Sequence, residues 1–362
     1  MTPSLRPLRL GEILDRAILL YRHNFLQLIG IVALVQVPVT LIQTTVSVTT
    51  FGNAFSRLGD AFSNPATAPG DPFAVFGPSY FVGASLSSAV GILGFILLQG
   101  VATAALTVAV AGSYFGDAPT SIGDAYSRIK DKWVQVVGAL LLAAALAIAL
   151  GIWWIIPCFG WLTGGGMLLF LWYVIIPLLV PVIIFEDSSP TTAWRRAWML
   201  ARRRFWWVLG FAIILYTFNL LVVAGPAAVV TLGSQLLSGN PFEMTGESFT
   251  FQTVAQSLTV LITGLFYLPL QVAAMTVLYF DLRVRTEGLD LALAAESLAG
   301  SGSTIADLIA VSPAAGGNEP LLKPTDWRNF VFLTLATLLG FALLYGLILV
   351  LAFSLVAALG PV

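Results

Sequence analysis

Trp194-Arg195-Arg196-Ala197-Trp198-Met199-Leu200-Ala201-Arg202-Arg203-Arg204-Phe205-Trp206-Trp207-Val208-Leu209-Gly210 reads as an amphipathic helix that runs directly into an apolar one. Trp194, Ala197, Trp198, Ala201 and Phe205 fall at i, i+3, i+4, i+7 and i+11, a single stripe on an α-helix. Arg195, Arg196, Arg202 and Arg203 share the opposite, polar face. From Trp206 the chain stays apolar to Leu232. That is long enough to cross a bilayer, which takes roughly 20 residues.

The same arrangement occurs twice upstream. Leu14, Ala17, Ile18, Tyr21 and Phe25 form one stripe, and Ile122, Ala125, Tyr126, Ile129 and Trp133 form another. A base holds the same slot in each copy: Arg22, Lys130 and Arg202. A glycine follows the terminal aromatic by the same interval: Gly30, Gly138 and Gly210. Amphipathic stripes alone are common. Agreement of stripe, base, aromatic and glycine in three copies points to an internal repeat.

The returning spans carry a signature of their own. Each closes with phenylalanine and acid: Phe115 with Asp117, Phe185 with Glu186 and Asp187, Phe280 with Asp281. The expected unit is an interfacial helix, a span out, a loop and a span back. Two crossings restore the starting orientation, so the copies run parallel, about an axis near the membrane normal. The expected fold class is all-α integral membrane. Residues 1–298 should form a six-span bundle of three parallel repeats, about 8–117, 118–187 and 188–298. Residues 299–326, rich in Gly, Ser, Ala and Pro, read as a cytoplasmic linker. Residues 327–362 read as an appended seventh transmembrane helix.

The expected spans run over Phe25–Thr50, Phe81–Ala111, Trp133–Pro157, Thr163–Phe185, Trp206–Leu232, Val254–Phe280 and Phe330–Leu359. Of the 17 basic residues, all but Arg57 then fall on one side. Such a bias sets cytoplasmic orientation, so the N-terminus is expected inside and the C-terminus outside. In the external loop after span one, Phe51, Phe55, Leu58 and Phe62 make an apolar helical face. Composition agrees with a membrane domain: 58% of residues are hydrophobic and 10% charged, against about 45–50% and 25% in soluble proteins. The first apolar run is too long for a cleavable leader and ends in no small-residue cleavage site. A bacterial inner (cell) membrane is the expected location.

Little here points to catalysis. His23 is the only histidine and Cys158 the only cysteine, so neither a His/Cys metal cluster nor an internal disulfide is available. No Walker, dinucleotide, G-x-S-x-G or H-E-x-x-H pattern occurs. No enzyme activity, cofactor or metal is expected, and nothing points to nucleic acid. The polar residues inside the spans are neutral. Gln36, Gln99, Asn219 and Gln271 are candidates for lining a cavity or bonding between helices. Arg22, Lys130, Arg195, Arg196, Arg202 and Arg203 are candidates for docking a lipid headgroup or protein partner at the cytoplasmic face. There an anionic leaflet attracts each base by roughly 1 kcal/mol. Pro177 and Pro181 should bend span four.

Two stretches carry a family resemblance. Leu5-Arg6-Pro7-Leu8-Arg9-Leu10-Gly11-Glu12-Ile13-Leu14-Asp15-Arg16-Ala17, and Tyr279-Phe280-Asp281-Leu282-Arg283-Val284-Arg285-Thr286-Glu287-Gly288-Leu289-Asp290-Leu291, resemble the bacterial glycerophosphoryl diester phosphodiesterase membrane domain family. The resemblance covers about residues 5–298 and implies a multi-span membrane protein of uncharacterised role. The family name comes from a soluble phosphodiesterase barrel fused to some members, which needs several histidines and a metal-binding set of acids, whereas this chain has one histidine and is expected to have no soluble domain. The expected function is therefore a non-catalytic scaffold or anchor for a cell-envelope or lipid-related partner. The alternative is a transporter or lipid-handling protein with a cavity in the bundle.

Overall fold

A computed structural model describes residues 6–63, 77–116, 121–237, 246–292, 295, 320 and 322–359. Every element in them is helical: α1 (Leu10–His23), α2 (Phe25–Ser63), α3 (Pro78–Ile96), α4 (Thr103–Phe115), α5 (Ile122–Ile129), α6 (Trp133–Ile155), α7 (Phe159–Phe170), α8 (Ile176–Glu186), α9 (Pro190–Arg203), α10 (Phe205–Asn219), α11 (Gly225–Leu237), α12 (Gly246–Glu287) and α13 (Pro324–Leu359). Among the described residues, 6 helical stretches are long and apolar enough to cross a membrane: Phe25–Ser56, Tyr80–Phe115, Trp133–Ile155, Phe159–Glu186, Phe205–Gly233 and Glu247–Glu287. Asp117, the distal part of the first long loop and most of the expected linker lie outside the described residues.

Three breaks in the helices fall where the three stripes end. α1 gives way to α2 at Asn24, whose backbone N–H and side-chain amide both donate to the Leu20 carbonyl. α5 gives way to α6 over Lys130–Lys132, and α9 to α10 at Arg204. The short helices start on local caps. Ser121 accepts from the Asp124 N–H, and Ser189 from the Thr192 N–H ahead of Pro190, which satisfies backbone donors that a helix start leaves unpaired. At α1 the Glu12 carboxylate accepts from the Arg9 N–H at 2.9 Å. That bond holds the Glu12 carboxyl below its ordinary pKa.

The second stripe position is fully buried each time, at Ala17, Ala125 and Ala197. Each of the later two stripes docks near the glycine of the preceding unit. The Tyr126 hydroxyl donates to the Ile31 carbonyl at 2.7 Å, and a methyl on Gly30 would meet Ile122. The Trp194 indole donates to the Ala139 carbonyl at 3.1 Å, and a methyl on Gly138 would lie 3.1 Å from the Pro190 ring. Ile31 and Ala139 each stand six residues past their aromatic. Burial pushes the Tyr126 hydroxyl up to about 12. Gly210 has open space around it, so the third glycine has no such use.

The returning helices converge through their terminal phenylalanines. Phe280 sits 5.0 Å from Phe115 and 5.1 Å from Phe185, ring centre to ring centre. Ala104, Ala105, Leu106, Val182, Ile183, Ala273, Ala274 and Val277, from α4, α8 and α12, are buried in one core around this meeting point.

Among the described residues, three single-turn π segments interrupt the long helices: Leu97–Ala102, Leu171–Ile175 and Leu220–Ala224. Two have a local cause. Pro177 has no N–H for the Tyr173 carbonyl, and Pro226 has none for Val222, so the ladder widens just before each.

Helix α13 is more than an appendage at its start. The Thr334 hydroxyl accepts from the Gly166 N–H at 2.8 Å, and Phe330 is buried among Phe170, Trp198 and Phe205. Trp327 packs on Trp153 and Phe159, at 6.4 and 5.4 Å. The start of α13 lies against α7, because Gly166 lets the two backbones approach and the aromatic cluster fills the space beside them.

Candidate functional site

Two regions hold the polar side chains that the fold positions. The first is the basic end of the bundle, where the starts of α1, α6 and α9 meet the ends of α4, α8 and α12. At its centre Arg196 pairs with Glu186 at 2.7 Å and also with Glu287. Arg283 pairs with Glu287 at 3.0 Å and lies 4.0 Å from Glu186. The Tyr279 hydroxyl donates to Glu186 at 2.8 Å and accepts from Arg283 at 3.2 Å. The quartet is two bases and two acids, charge-balanced, with side chains 1–7% exposed. It joins α8, α9 and α12.

Beside it, the Asp281 carboxylate accepts from the Leu8 N–H at 2.6 Å and from Arg285 at 2.7 Å, and Arg285 also donates to the Leu8 carbonyl. The Arg16 guanidinium donates to the Tyr114 hydroxyl at 3.0 Å. Lys132 pairs with Asp187 at 3.2 Å. Both sequence stretches that carry the family resemblance are thus clamped to each other through Leu8, Asp281 and Arg285.

The docking residues expected from sequence separate here. Arg196 is not on a docking face: it is 6% exposed and bound within the quartet. Arg202 is turned inward as well, 3.7 Å from Asp326 and bonded to the Pro320 carbonyl. Arg203 donates to the Thr286 carbonyl. The reason is that α9 lies against α8, α12 and the start of α13, whose acids and carbonyls a surface helix would not meet. Arg22, Lys130 and Arg195 stay on the outside.

The second region lies within the membrane-spanning part. A cavity of about 230 Å³ is lined by Gln99, Tyr173, Tyr216, Asn219, Tyr267 and Gln271 on its polar side. Phe95, Trp172, Ile176 and Met275 are among its apolar walls. No charged side chain lines it among the described residues. Tyr267 is fixed by donating to the Leu215 carbonyl at 2.9 Å. The Tyr173 and Tyr216 rings pack tilted against each other, 4.7 Å between centres. Phe95 stacks on Trp172 at 5.6 Å, and Trp172 and Tyr216 are exposed at the rim.

A smaller space of about 20 Å³, roughly one water, continues from it between α4, α8 and α12. Gln99 and Gln271 line both, and Thr103, Thr107 and Thr276 line the small one.

The π segments bear on this cavity. Gln99 lies within the first, Tyr173 within the second, and Asn219 immediately before the third. Such segments recur at functional sites because they rotate side chains out of the regular register.

Of the four amides named from sequence, Gln99, Asn219 and Gln271 come together. Gln36 does not: it is buried between α2 and α12 against Gly264, where a side chain on the glycine would clash with its amide. The three tyrosines escaped the sequence reading. Spacing held a signal, since Tyr267 and Gln271 stand four apart, and Tyr216 and Asn219 three apart, each pair on one helix face.

No group of His, Cys, Asp and Glu among the described residues is arranged to hold a metal ion. No protein-family profile matches the chain, and no curated protein or solved structure matches it. The six long apolar helices and the uncharged cavity between them define a helical, multi-pass membrane protein with a neutral polar cavity.

Proposed function

We propose that this chain is a transporter or lipid-handling protein whose bundle binds an uncharged, hydrogen-bonding group. The observation that carries this reading is the cavity in which Gln99, Asn219, Gln271 and three tyrosines converge without a charge. Amides and phenols offer donors and acceptors in a low-dielectric setting, where an unpaired polar group is costly. A neutral ligand with hydroxyls or amides satisfies them, whereas an ion would find no counter-charge. The exposed rim at Trp172 and Tyr216 favours entry from the bilayer side.

The scaffold reading is weaker, because two of the arginines that would form its docking face are spent inside the protein. On this view the chain is not an enzyme and uses no cofactor. We place it in a bacterial inner membrane with the basic end cytoplasmic, following the sidedness of its bases. The three stripe helices, each followed by a hairpin, are read as parallel repeats, supported by the buried alanines, the Gly30 and Gly138 contacts and the meeting phenylalanines. Helix α13 is read as a seventh crossing anchored on α7. Likeness to the phosphodiesterase membrane domain family is supported by the clamp between its two motifs.

Profiling the lipids that co-purify with the protein tests the function. The wild type should retain a neutral-headgroup lipid, and a variant with both Asn219→Leu and Gln271→Leu should lose it while keeping the same helical content. An identical lipid profile in the two would overturn the reading.

A further inference from the structure

The small space between α4, α8 and α12 differs in character from the cavity it adjoins. Its volume is about 20 Å³, and its polar walls are Thr103, Thr107 and Thr276 together with Gln99 and Gln271. The three threonines are buried. Each of their hydroxyls donates along its own helix: Thr103 to the Gln99 carbonyl, Thr107 to the Thr103 carbonyl at 2.7 Å, and Thr276 to the Val272 carbonyl at 2.8 Å. Their oxygens therefore meet the space as acceptors alone. Pro177 and Pro181 also line it, and Pro181 has no N–H to pair with the Pro177 carbonyl one turn earlier.

The donors on the wall are the amides of Gln99 and Gln271. Neither side chain makes a hydrogen bond among the described residues, and both line the larger cavity as well. The space is thus rich in acceptors, short of donors and joined to the cavity by its two uncommitted amides.

From this arrangement we infer that the small space is a subsite for one free hydroxyl of a neutral lipid, such as a diacylglycerol carries. The inference rests on the reading of the larger cavity as the ligand site. The hydroxyl donates to a threonine oxygen and accepts from a glutamine amide. The rest of the glycerol head occupies the cavity of about 230 Å³. The acyl chains leave past Trp172 and Tyr216, which are exposed at the rim. No charged side chain lines either space among the described residues, so a phosphate would find no base. A methyl ether at the same oxygen is disfavoured twice: it has no proton to donate, and it is larger than a space the size of one water. Sites that hydrogen-bond a substrate hydroxyl reject analogues lacking it.

An equal mixture of a diacylglycerol and its methyl ether, offered to the full chain and read by native mass spectrometry, tests this. The wild type should hold the diacylglycerol in about tenfold excess, on the scale of a lost hydrogen bond. Thr276→Val keeps the side-chain shape and removes an acceptor; it should cut that preference by about fivefold, and Thr276→Ser should keep it. Asn219 lines the larger cavity and not the small space, so Asn219→Leu should weaken both lipids together with their ratio unchanged. Equal binding of the two lipids by the wild type, as when a water fills the space, or an unchanged ratio in Thr276→Val, would overturn the subsite and leave the cavity reading standing. Binding of neither lipid by the wild type, or binding untouched by Asn219→Leu, would overturn the cavity reading and the subsite with it.

Discussion

The basic end and the mid-membrane cavity handle polar groups in opposite ways. At the basic end every charge in the Glu186, Arg196, Arg283 and Glu287 quartet faces an opposite charge, and Tyr279 closes the set. In the cavity the polar groups are neutral, and Gln99, Asn219 and Gln271 face open space. The first region binds the chain to itself. The second keeps its hydrogen-bonding capacity for something else. Stability should therefore respond to changes at the end, and ligand retention to changes in the middle.

The largest effect should come from Arg283→Met. It leaves Arg196 as the quartet's remaining base against Glu186 and Glu287, and breaking a buried pair costs about 3–5 kcal/mol. The yield of monodisperse protein and its unfolding in a detergent titration should both collapse. A variant as stable as wild type would show that the quartet is not what holds α8 to α12.

Asp281→Ala comes next. It removes the acceptor for the Leu8 N–H and for Arg285, and hydrogen bonds to charged groups contribute about 1.5–3 kcal/mol. Hydrogen exchange should rise over Leu8–Ile13 with little change around Tyr267. Equal protection at Leu8 would break the clamp.

A glycine pair gives a smaller contrast within the stripe units. Gly210→Ala meets open space, and replacing a mid-helix glycine by alanine gains roughly 0.5–1 kcal/mol. Gly138→Ala should show no such gain, because its methyl would lie 3.1 Å from the Pro190 ring. Thermal melts of the two variants, compared side by side, decide it. Equal gains would remove the reason for a glycine at Gly138.

Gln271→Leu should change stability least, by about 0.6 kcal/mol, the mean for an interhelical polar contact in one measured membrane protein. The same variant should lose the co-purifying neutral ligand. A large loss of stability with the ligand retained would reverse the assignment of the two regions.

The helical elements were legible because hydropathy and helical period are properties of the chain itself. The stripe Leu14, Ala17, Ile18, Tyr21 and Phe25 shows its buried face by spacing alone, and Ala17 is buried as that spacing requires. The helix breaks near Asn24, Lys130 and Arg204 fall where apolar and basic patterns meet. The cavity was legible in part. Amides within apolar spans stand out, but pattern could not separate Gln36 from Gln271, since both are glutamines in long apolar helices. Which of them faces open space depends on how α2 and α12 are rotated against each other.

By itself the sequence determined the apolar spans, the amphipathic helix ahead of three of them and the sorting of charge toward one end. Hydropathy and helical period are local, and each residue contributes to them wherever its neighbours lie. Only the tertiary structure decided that Arg196 and Arg202 turn inward, that α13 begins against α7, and that Tyr173, Asn219 and Gln271 share one cavity. Those facts depend on distances between segments as much as 168 residues apart, as at Gly166 and Thr334, and no local pattern encodes them.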